Sequence, residues 1–373
     1  MHAGATVENS DRRIASLDIG RFAACAYVML FHAAIDVHFQ DPVLKYGNSG
    51  VQFFMMLSGY VLARPYLEAR PARAFELTRY AIGRVTRILP PYYAVVLLAA
   101  ALSFFHIGAS ASPVPRGALG WHVFTHLTLT HTFFAETHIS LVSVLWSLGL
   151  EWQYYVVLPL LILAFRTGKT LSVMLAVIVL TLATRWALPV VAPDRPDLSN
   201  GLFLARLTEF AAGVAMAALL GQGWTRGRLM ALAAVVGGAG VAYGVMSARD
   251  NQMALQGAAL LALVPLRLFG PVRATHPLTR ALRFLGEVSY STYLVHTLGG
   301  KTLLAALGHV PGASALGPWP RILLYALAGQ LAGIAFYFLV ERPTTRWAAA
   351  LFARRRSAFS LPAAGSTPRD PAL

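Results

Sequence analysis

Charged side chains are scarce in this sequence. Of 373 residues, 13% are Asp, Glu, Lys or Arg, about half the usual share. A soluble domain of this length can bury a large core but still needs a charged surface, and this chain has too few charges to cover one. Acidic residues are scarcer still, 16 against 31 Lys and Arg, giving a formal net charge of +15. Cysteine is nearly missing: Cys25 stands alone inside the first apolar block. That excludes an intrachain disulfide and a cysteine metal centre, so Cys25 reads as a packed thiol and no metal is expected. Also lacking are short-period repeats and a visible inverted repeat, and no second, soluble domain is expected. No cleavable signal peptide is expected, because the first apolar block is long and no small-residue cleavage site follows it.

What the chain has is apolar sequence. Hydrophobic residues make up 57% and mean hydropathy is +0.58. The apolar residues fall in blocks of about 18 to 24, the length that crosses ~30 Å of hydrocarbon. The expected fold class is therefore all-α integral membrane, with about ten transmembrane helices. They lie at roughly 15–36, 48–66, 87–107, 142–165, 170–192, 202–221, 228–247, 252–270, 284–306 and 320–341. Region 108–141, with His122, His126, His131 and His138, reads as a long external loop holding an interfacial or re-entrant segment.

A charge of +15 suggests nucleic acid, but the arginines sit between apolar blocks instead of forming one basic face. They follow the positive-inside rule. With the N-terminus in the cytoplasm, 22 of the 31 basic residues fall on the inner side. Both termini are then cytoplasmic. Residues 1–14 form a cytoplasmic N-terminal segment, 15–346 the transmembrane domain, and 347–373 a cytoplasmic, disordered tail, rich in Pro, Ala and Ser from 357 on.

Ionisable residues inside a membrane are costly, so each is a functional candidate. The first span holds Asp18, Arg21 and His32. Eleven residues make about three turns, so Arg21 and His32 share a face, ~16 Å apart. An arginine there can fork onto phosphate, and an imidazole can take a proton from a hydroxyl. The alternative is a structural Asp18–Arg21 pair and a hydrogen-bonded core histidine. In the second span Ser58-Gly59 allows close helix packing; Ser58 as a nucleophile lacks a base nearby in sequence. Arg84 and Arg87, three apart at the inner surface, either anchor lipid headgroups or bind a donor's phosphates, and Pro90 and Pro91 would kink or start the membrane part of the third helix. Glu151, in Trp146-Ser147-Leu148-Gly149-Leu150-Glu151, either orients His32 as a carboxylate orients a catalytic imidazole or bonds a neighbouring helix. Ser289, Tyr293 and His296 form one polar stripe suited to interhelical hydrogen bonds. Glu341 at the inner end of the last span is placed to pair with an arginine.

Taken in order, these blocks resemble acyltransferase family 3, integral membrane acyltransferases of surface sugars, lipids and natural products. The resemblance is carried by Arg21-x10-His32, by Gly50 to Gly59, by Arg84-x-x-Arg87-Ile88-x-Pro90, by Trp146 to Pro159, by Ser289 to His296, and by Glu341-Arg342-Pro343. It covers roughly 15–343. It implies a ten-helix core, an acyl-CoA donor handled inside, and a saccharide or glycolipid acceptor handled outside. Acetyl, from acetyl-CoA, is the family's commonest group. By resemblance Arg21, Arg84 and Arg87 lie near the donor phosphates, with Ser58 in the same donor site, and His32 is the general base or transient acyl carrier, with Glu151 beside it.

The chain departs from the family pattern at Gln52, where an Asp is usual, and at Trp152, often polar or acidic. No appended hydrolase-like domain is expected, so transfer is expected to be completed alone or with a partner. A lipid or sugar transporter would also use intramembrane charge, and an accessory subunit of a polysaccharide assembly system would tolerate loss of His32. The ordered motifs favour the enzyme, in a bacterial inner membrane.

Overall fold

A computed structural model describes residues 15–69, 72, 74–105, 114–246, 251–268 and 276–359. Among them the chain is helical, with no strand. The helices are α1 (Ala15–Asp36), α2 (Ser49–Leu67), α3 (Leu77–Phe105), α4 (Leu119–Leu127), α5 (Trp146–Phe165), α6 (Thr170–Val191) and α7 (Leu198–Gly201). They continue with α8 (Phe203–Gly221), α9 (Arg226–Met246), α10 (Asn251–Leu268), α11 (Pro277–Glu287), α12 (Ser289–Leu307), α13 (Pro318–Phe336) and α14 (Arg342–Phe359).

Each expected span is occupied by a helix, and seven of the helical stretches are long and apolar enough to cross a membrane. The stretches that fall short are informative. α2 carries Gln52, Ser58 and Arg64, and α12 carries Ser289, Ser291, Thr292 and His296. Both are mostly buried against other helices, so their polar groups meet protein and not lipid. In α10 the apolar run among the described residues is only Ala254–Leu268. The outer helices show the opposite pattern. α6 exposes Leu171, Leu175, Val179, Leu182 and Trp186, and α13 exposes Leu323, Leu327 and Leu331. A face of that kind belongs in hydrocarbon.

α8 is the most enclosed of the apolar helices and lies against α2. Their backbones touch where side chains are missing: a Cβ on Gly59 would collide with Phe210 O, and one on Gly213 with Met56 O. Gly59 thus has the packing role expected of it. Cys25 is buried and free, as expected, with Sγ 3.5 Å from Ser289 O.

Three boundaries differ from expectation. α3 starts at Leu77, ten residues before the expected span, so Pro90 and Pro91 lie inside a 29-residue helix. The extra turns carry Arg79, Arg84 and Arg87 on the same helix as the apolar run. The ninth span breaks at Val288 into α11 and α12. Ser289 Oγ donates to Gly286 O at 2.8 Å there, and Gly286 lies against the Asp18 backbone too closely for any side chain. The chain after α13 continues through a π-helical turn, Tyr337–Glu341, into α14. Residues up to Phe359 of the expected disordered tail are therefore helical, and the rest of that tail lies outside the described residues.

Between α3 and α5 the chain folds into short helical turns around α4. His122, His126, His131 and His138 are all buried there, so this loop is a packed element.

Candidate active site

α1, α2, α3, α5 and the α11–α12 junction enclose a cleft. Its lining includes Arg21, Ser58, Arg84, Arg87 and Glu151, five of the six residues that the resemblance gives a role. Distant parts of the chain meet here because α2 is held between α1, α5 and α8.

Arg21 makes the structural pair expected of it. Its Nη1 bonds Asp18 Oδ1 at 2.8 Å, and the half-buried side chain still lines the cleft. Arg84 is half-buried, and its guanidinium lies 6.0 Å from the centre of the Tyr155 ring. Its Nε is buried without a hydrogen-bond partner, a state that an incoming anion would relieve. Arg87 is exposed at the mouth.

Glu151 anchors the polar interior. Ser58 Oγ donates to Glu151 Oε1 at 3.1 Å, and Tyr155 OH donates to the same oxygen. Deeper in the cleft, Tyr293 OH and Ser147 Oγ are 2.6 Å apart, and Tyr290 OH donates to Ile88 O at 3.0 Å, tying α12 to α3.

The expected pairing of Glu151 with His32 does not form: among the described residues the hydrogen bonds of Glu151 go to Ser58 and Tyr155. Glu151 faces α2, whereas His32 lies on the side of α1 that meets α12. His32 Nδ1 instead lies 3.1 Å from His296 Nε2. The imidazole pair sits behind Tyr293, whose ring is 5.9 Å from that of His296. Beyond His32, toward the end of α1, Asp36 is 3.5 Å from Lys301 Nζ and accepts from Tyr325 OH at 2.9 Å.

The stripe on α12 does make interhelical bonds, Tyr293 to Ser147 and His296 to His32. Glu341, expected to pair with an arginine, accepts from Ser291 Oγ at 2.5 Å. The direct partnership of His32 with His296 is not legible in sequence, because spacing within a helix does not say which helices pair. Cys25 meets Ser289 and His32 meets His296, seven residues apart on each helix. That is the register of two parallel helices packed along one seam. Among the described residues no group of three His, Cys, Asp or Glu is placed to hold a metal ion.

With this geometry in view, the comparisons with known proteins are specific. The model of the acyltransferase domain, acyltransferase family 3, matches residues 14–340. BcsY of Komagataeibacter xylinus, named as a membrane-bound transacylase, is 28% identical over 75% of this chain and 71% of its own. The exopolysaccharide production protein ExoZ of Rhizobium meliloti is 27% identical over 85% of this chain and 95% of its own. The peptidoglycan O-acetyltransferase OatA of Listeria monocytogenes is 26% identical over 36% of this chain and 22% of its own. No solved structure matches. The matched span takes in every residue of the cleft, and the chain belongs to acyltransferase family 3: it is a multi-pass membrane acyltransferase.

Proposed function

We propose that this enzyme moves an acetyl group from acetyl-CoA to a hydroxyl of a saccharide or glycolipid, working across a bacterial inner membrane with both termini in the cytoplasm and ten spans. The observation that carries the reading is the cleft, where three arginines gather beside buried hydroxyls and Arg84 keeps an unpartnered, buried Nε. Such a site suits the phosphates of CoA, with the acyl thioester pointing inward. The bias of arginines toward one side supports a cleft mouth facing the cytoplasm, where acyl-CoA is available. Two relatives carry names that point to envelope polysaccharide, an exopolysaccharide production protein and a peptidoglycan O-acetyltransferase, which supports a glycan acceptor.

In this reading Arg21, Arg84 and Arg87 hold the phosphates, and Ser58 and Glu151 line the path of the pantetheine arm. His32 takes the proton of the acceptor hydroxyl. The hydroxyl oxygen bonds to the thioester carbonyl carbon, the C–S bond breaks, and the thiolate leaves to be protonated.

The test is thiol release from acetyl-CoA by purified protein, with chitotriose and cellotriose as probe acceptors, for wild type and His32→Ala. Acceptor-dependent release that is lost in the variant supports the reading. Release unaffected by the variant removes His32 from the mechanism, and no release with acetyl-CoA removes that donor.

A further inference from the structure

We propose that His296 is the positioning residue of the site, fixing the tautomer of His32 so that its Nε2 is the bare, basic nitrogen. The catalytic meaning of this proposal rests on His32 being the general base; the tautomer itself does not.

The argument follows the protons. His296 is fully buried, on α12. Its Nδ1 lies 2.9 Å from Tyr293 O and 3.2 Å from Thr292 O. Carbonyl oxygens only accept, so Nδ1 carries a hydrogen. Burying an imidazolium without a carboxylate partner is costly, and among the described residues none bonds His296. The ring is therefore neutral, with one N–H, and its Nε2 is an acceptor. Facing that lone pair at 3.1 Å is His32 Nδ1. The same His32 nitrogen lies 3.0 Å from Val28 O, a second acceptor. Two acceptors converge on one nitrogen, and both require that His32 Nδ1 hold the proton. His32 Nε2 is left with its lone pair.

The arrangement also suits the step that follows. When His32 Nε2 takes a proton, its Nδ1–H still donates to His296 Nε2 and Val28 O, which face the new positive charge with lone pairs. A carboxylate does this in familiar triads; here a neutral imidazole and a carbonyl do it, with no second buried charge. The pair is held firmly, because α13 closes over it at Gly329. A Cβ at Gly329 would lie 3.0 Å from His296 Cβ and 3.0 Å from Met29 Sδ.

The test has two arms. The first needs no substrate: ring 15N spectra of histidine-labelled protein in lipid nanodiscs, with His32 assigned by its loss in His32→Ala. Wild type should show His32 protonated at Nδ1 and bare at Nε2. His296→Leu, close in volume and unable to accept, should leave Val28 O as the one acceptor at His32 Nδ1 and lower the share of the Nδ1-protonated tautomer measurably below wild type. His296→Gln, whose amide oxygen can accept, should restore the wild-type spectrum. A wild-type His32 protonated at Nε2, or a His296→Leu spectrum identical to wild type, overturns the proposal.

The second arm is turnover of acetyl-CoA with chitotriose as the probe acceptor. His296→Leu should lower kcat by about 100-fold, within the range of general-base effects, with KM for acetyl-CoA within about twofold. His296→Gln should recover to within about tenfold of wild type. Leu and Gln variants that fold alike and are equally slow overturn the proposal. A His32→Ala enzyme as fast as wild type overturns the general-base reading alone and leaves the spectra to judge the tautomer.

Discussion

Ser58 Oγ donates to Glu151 Oε1 at 3.1 Å, joining α2 to α5 across 93 residues of sequence. Tyr155 donates to the same oxygen from one turn along α5, so one carboxylate oxygen holds two hydroxyls at the wall of the cleft. Replacing Glu151 by Ala leaves the two hydroxyls only each other, 3.4 Å apart, so at least one donor is stranded. It should destabilise the protein by about 1–3 kcal/mol, the cost of leaving buried groups unsatisfied. Glu151→Gln keeps an acceptor oxygen and should lose less than about 1 kcal/mol. Thermal unfolding of the two variants in one detergent separates them. A double-mutant cycle with Ser58→Ala should give a coupling of at least about 0.5 kcal/mol; additive losses would mean that the bond contributes nothing.

Arg84 has a buried Nε with no partner, whereas Arg87 is exposed. If the cleft holds the donor's phosphates, the two should differ in weight. Arg84→Ala should raise KM for acetyl-CoA by roughly 10- to 100-fold, the equivalent of one lost charge-assisted bond, with a smaller rise for Arg87→Ala. Arg84→Lys should recover only part of the loss, because an ammonium cannot reproduce the planar fork. An unchanged KM in both alanine variants would place the phosphates elsewhere.

Sequence made the members of this cleft legible, but not their partners. Arg21, Ser58, Arg84, Arg87 and Glu151 were selectable because a charge or hydroxyl in an apolar block is costly without a purpose. Which of them meet depends on how helices rotate about their axes, and block length says nothing about rotation. So chemical analogy offers His32 as one of two partners for Glu151, while the packing of α2 against α8 at Gly59 and Gly213 turns Ser58 toward α5 and gives Glu151 the other, a neighbouring helix. The break at Val288 was hidden for a similar reason. Gly286 and Ser289 are ordinary within a span, and only the close approach of the Asp18 backbone makes them a joint.

The α2–α8 contact gives a stability prediction with its own control. Gly213 lies so near Met56 O that a Cβ must push the helices apart. Gly213→Ala should destabilise by about 1–3 kcal/mol or more, as overpacking of a core does. Gly238, half-buried on α9, has nothing within 4 Å of its would-be Cβ. Gly238→Ala should be neutral or stabilising by up to about 1 kcal/mol, since alanine favours a helix over glycine. Melting midpoints that fall equally in both would show that helix propensity, not close packing, governs the two sites.

The loop between α3 and α5 should make the fold sensitive to acid. Burial lowers the pKa of His122, His126, His131 and His138, that of His126 from 6.5 to about 4. His126 and His131 are stacked with ring centres 4.1 Å apart, and His126 Nε2 and His131 Nδ1 are buried without hydrogen-bond partners, so protonating either puts an unpaired charge in a packed element. The sign follows from which state binds protons first. Below pH 6.5 the unfolded chain protonates these rings while the folded chain does not, so stability is complete above that pH and declines as pH falls toward 4. His126 alone should cost about 2 kcal/mol at pH 5. The melting midpoint should therefore drop between pH 7.5 and 5.0, and the drop should shrink in His126→Phe, which keeps a stacking ring without a titrating nitrogen. A drop of equal size in His126→Phe would assign the acid sensitivity to other groups.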